Sequence, residues 1–211
     1  MKIISTNRAQ PVQVQWQGRS LITGIYKKPS PEGILLSSDG VRGDTIGNPK
    51  VHGDAQKAAY LFSQDEYGYW QHQYPDLDWG HGMFGENLTV ERLDETSLMM
   101  GSTYKIGEAR VQITTPREPC FKLGIRFGDQ EIVQKFISRG YPGSYVSVIK
   151  PGWIRPGDPM ELLESPENSL SIAEFYRMWY ATSKDPEVLE KALSIPWLSD
   201  EKKKQLLRWM P

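Results

Sequence analysis

Apolar and polar residues alternate with a period of two in several short runs. Val12, Val14 and Trp16 form one, Leu21 to Tyr26 follow as a further short strand, and Ile34 to Ser37 make an apolar run. Clusters such as Lys27-Lys28-Pro29-Ser30-Pro31-Glu32-Gly33 interrupt them, the mark of short strands joined by turns. Lys57 to Phe62 read as a buried strand, after which Ser63-Gln64-Asp65-Glu66 has the form of a capping box opening a helix with Tyr67, Trp70 and Tyr74 on one side. Val111, Ile113 and Thr115 make a strand that runs into Thr115-Pro116-Arg117-Glu118-Pro119, where two prolines end the ladder. Asp129 begins a helix with Ile132, Val133, Phe136 and Ile137 on one face and Gly140 as its stop, and Tyr145 to Ile149 read as a strand buried on both faces. Two matching units, Met100 to Gly107 and Arg155 to Leu162, each set a glycine turn before a short strand. Strands so spaced predict a mainly β fold closed as a barrel.

Near residue 165 the pattern changes to helical spacing. Ser171-Ile172-Ala173-Glu174 is a capping box followed by Phe175, Tyr176, Trp179 and Tyr180, Asp185-Pro186-Glu187 starts a second helix, and Ser199-Asp200-Glu201 starts a third. The expected organisation is a β-barrel domain over residues 1–164 and a three-helix module over 165–211. Basic and acidic residues balance in that module, which argues against a phosphate-binding face and for a packing or partner-docking role.

With 38% hydrophobic and 11% aromatic residues, a chain of 211 residues can build a substantial core. A net charge of −1 supplies no general attraction to nucleic acid or to acidic membranes, so any anion site must be local. A single cysteine excludes an internal disulfide, the N-terminus lacks the apolar run of a signal peptide, and no segment approaches a membrane span. A cytoplasmic protein is the expectation.

The lone Cys120 lies just past a strand end, where a rigid scaffold meets an exposed turn. Arg117, Lys122 and Arg126 surround it in sequence and favour the thiolate, which is the nucleophile and metal ligand, while Glu118 opposes them. Asp39-Gly40-Val41-Arg42-Gly43-Asp44 has the glycines of a tight turn, and Arg42 can clamp an anion with paired donors. Lys27 and Lys28 face either solvent or a bound anion. His52 sits between valine and glycine in a loop, and a glycine-rich loop, Trp79 to Gly85, delivers Glu86 and Asn87. That loop is no dinucleotide fingerprint, because no helix begins there.

The stretch Thr115-Pro116-Arg117-Glu118-Pro119-Cys120-Phe121-Lys122-Leu123 resembles a signature of the MOSC domain family, named for the C-terminal domain of molybdenum cofactor sulfurases, and most closely of its YiiM-like bacterial branch, with threonine where the branch carries glutamine. Gly40 to Asp44, Val51-His52-Gly53-Asp54 with Lys57-Ala58, and Phe84-Gly85-Glu86-Asn87-Leu88 look like the family's other three signatures, in the same order. The resemblance implies a molybdopterin-type molybdenum cofactor with Cys120 as the protein ligand to the metal. It also implies contacts to the cofactor from Lys27 or Lys28, Arg42, His52, Lys57, Glu86, Asn87 and Arg117, with His52 and Glu86 the candidate proton donors. The activity implied is a detoxifying reduction of N-hydroxylated compounds, such as N-hydroxylated bases, with electrons from a separate reductase; pyridoxal phosphate, nucleic acid and membrane are not expected. A non-catalytic carrier of the cofactor, or of sulfur on Cys120, is the alternative, and the sequence does not separate the two.

Overall fold

The computed structural model describes residues 1–45 and 55–210. Its strands in chain order are β1 (Lys2–Arg8), β2 (Val12–Trp16), β3 (Arg19–Thr23), β4 (Lys28–Pro29), β5 (Ile34–Ser37), β6 (Gly40–Val41), β7 (Ala59–Ser63), β8 (Leu88–Glu91), β9 (Thr103–Ile106), β10 (Ala109–Pro116), β11 (Ser144–Lys150), β12 (Gly152–Ile154) and β13 (Met160–Glu164). The helices are α1 (Tyr67–Gln73), α2 (Phe121–Phe127), α3 (Ile132–Arg139), α4 (Ile172–Tyr180), α5 (Pro186–Leu193) and α6 (Asp200–Leu207).

Eight strands make one mixed sheet in the order β13-β9-β10-β11-β7-β8-β1-β4. Its one parallel pair is β7 with β8. A parallel pair needs a crossover, and the segment between them, which holds α1 and the glycine-rich loop, provides it. A three-stranded sheet, β12-β5-β6, and the hairpin β2-β3 complete the strands. The hairpin turns on Gln17 and Gly18, with φ of 48° and 74°, the left-handed pair of a primed turn that matches strand twist.

The closed barrel expected from the strand spacing is not formed: the large sheet keeps two edges, β13 and β4. Its N-terminal end does reach the start of β13, where Lys2 and Pro159 form an isolated antiparallel bridge flanked by Ile3 N–H donating to Asp158 O at 2.9 Å and Met160 N–H to Met1 O at 3.0 Å. β11 is buried at its start and exposed at its end, where Ile149 is 56% exposed, so it is not covered on both faces as expected.

Two apolar clusters flank the sheet. In the larger, Ile113 and Val146 from the strands pack together with Phe175, Met178, Leu189 and Leu206 from the C-terminal helices. These helices begin as their sequences dictate: Ser171 Oγ accepts from Glu174 N–H at 3.1 Å and Glu174 Oε2 accepts from Ser171 N–H at 2.8 Å, while Asp185 caps α5 ahead of Pro186 and Ser199 caps α6. The smaller cluster is aromatic. Phe62 and Phe84 lie 4.2 Å apart between ring centroids, with Trp70 and Phe136 stacked 5.9 Å apart beside them. It is the floor on which the glycine-rich loop and the Cys120 turn rest.

Candidate functional site

A cavity of about 120 Å³, partly open to solvent, lies between the start of α2, the short 3-10 turn Ala55–Lys57, the chain after β3 and the end of the glycine-rich loop. Cys120 opens on it, half-buried and without a disulfide partner. β10 brings the chain to the cavity, and Cys120 is in extended conformation, φ −133° and ψ 172°, as the residue from which α2 starts.

Arg117, Lys57 and Lys122 share the cavity wall with the thiol. Arg117 is the unusual one. It is 6% exposed, its guanidinium carbon lies 5.2 Å from the centroid of the Tyr60 ring and 5.5 Å from that of Phe136, and its buried Nη1 has no hydrogen-bond partner among the described residues. Ring faces attract a cation but accept no N–H in the plane of the fork, so the buried charge keeps a vacant donor. Lys57 lies 5.8 Å from the centroid of the Tyr145 ring. Arg126, expected beside the thiol, instead stacks at 4.9 Å on Tyr26 and is not on the wall.

On the opposite wall, Lys27 is buried and forms an ion pair with Asp44. Burial pushes the Lys27 pKa down and the Asp44 charge pulls it back up. Asp44 is itself held, Oδ1 by Ala9 N–H at 2.6 Å and Oδ2 by Asn87 Nδ2 at 2.8 Å. Asn87 is fully used: its Nδ2 also donates to Asn7 O at 3.2 Å, and its Oδ1 accepts from Tyr60 N–H at 3.2 Å. This wall is therefore close to neutral and rigid, and the excess positive charge is on the Cys120 side.

The structure thus brings Cys120, Arg117, Lys57, Lys27 and Asn87 to one cavity. Lys28 is exposed on β4 and Arg42 is exposed in the turn after β6, both off the wall, and His52 lies outside the described residues. Glu86 is close by but points elsewhere. It is completely buried, with Oε1 accepting from Tyr67 Oη, from Gly82 N–H at 2.8 Å and from Thr89 Oγ1 at 2.9 Å, and Oε2 accepting from Phe84 N–H at 3.1 Å. Its carboxylate folds the glycine-rich loop. Burial and the Glu86 charge raise the Tyr67 pKa and keep its hydroxyl a donor. Asp44, Tyr60 and Tyr145 were not singled out by the sequence; Asp44 ends the Gly40 to Asp44 turn and was the one within reach of a motif.

The mixed sheet thus ends one strand at a free thiol in a cation-walled cavity. A family model for the MOSC domain matches residues 48–161, more than half of the chain. The Escherichia coli protein YiiM is 31% identical over 168 residues, covering 79% of this chain and 75% of that one. The crystal structure of YiiM from Geobacillus stearothermophilus superposes with a TM-score of 0.82 at 26% identity, covering 100% of this chain and 99% of that one. A Gibberella moniliformis protein named Reductase is 30% identical over 183 residues, which is 85% of this chain but only 32% of that longer one. The chain belongs to the MOSC domain family, in its YiiM-like branch. Lys27 and Asp44, on the neutral wall, precede the stretch that the family model matches. No helix of the described residues is long and apolar enough to cross a membrane.

Proposed function

We propose that the cavity binds a molybdopterin-type molybdenum cofactor, with Cys120 as the sulfur ligand, and that the protein reduces N-hydroxylated compounds. The observation that carries this reading is the buried Arg117 with a vacant donor on the wall it shares with a half-buried thiol. Among the described residues no three His, Cys, Asp or Glu side chains gather into a metal cage. A single thiolate beside cations suits a soft, redox-active metal that arrives with its own anionic ligands. Arg117 would take anionic oxygens with paired donors, and Lys57 and Lys122 would add charge. Asp44 offsets Lys27, so that wall does not compete for the same anion, while the Tyr60 and Tyr145 rings keep water from the cationic side. When bound, the cofactor would supply the two-electron chemistry that, with uptake of two protons, turns N–OH into N–H and water, with electrons from a separate reductase.

The test is reduction of an N-hydroxylated base by protein from a cofactor-producing host, driven by a chemically reduced viologen dye. Turnover by the wild type that is absent in Cys120→Ala supports the reading. Stoichiometric cofactor without turnover of any N-hydroxylated compound is the result that a carrier would give, and it would replace the reductase reading.

A further inference from the structure

The turn that carries Cys120 is gripped from behind by the C-terminal helices. Lys202, on α6, forms an ion pair with Glu118, two residues before the thiol, and the two side chains are 15% and 41% exposed. The Lys202 ammonium also lies 3.9 Å from the centroid of the Trp179 ring, which meets Trp209 edge-on at 4.9 Å. A second tie lies one strand end earlier, where Trp197 Nε1 donates to Thr114 O of β10 at 3.3 Å. The fit there is close: a Cβ on Gly101 would come within 2.3 Å of the Trp197 ring.

Glu118 is the carboxylate on the cationic wall of the cavity. Left unpaired, it can turn toward the vacant donor of Arg117 or toward Lys122 and occupy them as an internal anion. Lys202 draws it the other way. We infer that Lys202 is a positioning residue for the site proposed above: by holding Glu118 against α6, it keeps that carboxylate off the cavity's cations and leaves them to an anionic ligand. The cofactor part of this inference rests on the proposed function; the electrostatic part does not.

The test uses full-length protein from a host that does not make the cofactor, and compares alkylation of Cys120 by iodoacetate, an anion, and iodoacetamide, its neutral analogue, at one pH. Their rate ratio cancels the thiolate fraction and reports the local positive potential. In Lys202→Met the ratio is expected to fall about five-fold, the factor for about 1 kcal/mol of electrostatic support from a partly exposed pair. Adding Glu118→Gln to Lys202→Met should bring the ratio back, because no carboxylate remains to turn inward. Lys184→Met is the control for a purely structural effect, since Lys184 packs 4.1 Å from the centroid of Trp209 in the same aromatic group without touching the turn. It should lower the melting temperature and leave the ratio unchanged. An unchanged ratio in Lys202→Met, a double variant no better than the single, or an equal fall in Lys184→Met would each overturn the inference. Molybdenum content of the same variants from a cofactor-producing host should fall in Lys202→Met and recover in the double variant. A ratio that responds as described, in a protein whose wild type holds no molybdenum, would support the role of Lys202 and overturn the cofactor reading alone.

Discussion

Glu86→Gln separates a chemical role for Glu86 from the structural one. The carboxylate is completely buried and accepts from Tyr67 Oη, Thr89 Oγ1 and the N–H groups of Gly82 and Phe84. Glutamine keeps the shape but replaces one acceptor oxygen with a donor. The least damaging choice puts the amide nitrogen at Oε2, where it meets Phe84 N–H and leaves both donors unpaired. One orphaned buried donor costs about 1–3 kcal/mol, and loss of charge weakens the other bonds, for a total of about 3 kcal/mol. That is a large fraction of the ~5–15 kcal/mol that holds a typical domain together. For a chain of this length it corresponds to a fall in Tm of roughly 6–12 °C. Thermal unfolding of wild type and Glu86→Gln measures it, with cofactor content determined on the folded fraction well below both transitions. The expected variant melts early but holds as much cofactor per folded molecule. An unchanged Tm together with lost cofactor or turnover would refute the structural role and return Glu86 to the chemistry.

Three further outcomes follow from other parts of the molecule. Arg117→Ala should weaken cofactor retention by roughly ten-fold or more, and Arg117→Lys should recover only part of it, because lysine restores charge without the fork; equal retention by all three proteins would make Arg117 a packing residue. Glu95 is buried with Oε2 unpartnered, and burial raises its pKa from the ordinary 4.5 to about 7, so between those values the folded chain holds a proton that the unfolded chain has lost. Stability should therefore fall as pH rises from about 4.5 to about 7 and level off above, and Glu95→Gln should flatten that slope in denaturant titrations; an unaltered slope would assign it to other groups. Gly101→Ala, at φ 89° and against the Trp197 ring, should lower Tm by several degrees, and a neutral result would mean that the ring moves aside at little cost.

What the sequence disclosed depended on how local each cause is. The caps at Ser171, Asp185 and Ser199 were legible because a side chain meets a backbone N–H two or three residues on, a distance fixed by the helix itself. The strand into the Cys120 turn was legible from alternation ended by two prolines. Helix α2 was not, since it has only 7 residues and carries Gly124 in its interior. A Cβ at that glycine would lie 2.3 Å from Gln130 Nε2, so it sits close under a side chain from the turn ahead of α3. The closed barrel failed on a long-range matter, whether the first and last strands of the sheet pair along their length. Lys27 and Lys28 are neighbours of identical chemistry, yet Lys27, just ahead of β4, is buried against Asp44 while Lys28 in β4 is exposed, and the partner that decides this is 17 residues away. Glu86 and Asn87 stand at the end of a glycine-rich loop, and the loop's composition marks them as polar groups there. Their direction depended on how that loop folds, and the structure turns both inward to hold the protein's own backbone. Lys202 lies 82 residues after Cys120, and no spacing in the chain pointed to their proximity.

The central claim is that Cys120 holds a metal inside a cation-walled cavity. Its most direct test is the molybdenum content of wild type and Cys120→Ala, purified from a host able to make the cofactor and compared at matched thermal stability. Removal of one half-buried thiol should cost the fold only about 1 kcal/mol. The account predicts close to one molybdenum per wild-type chain and almost none in a folded Cys120→Ala. A variant that kept its molybdenum, or a wild type that never acquired any, would contradict it.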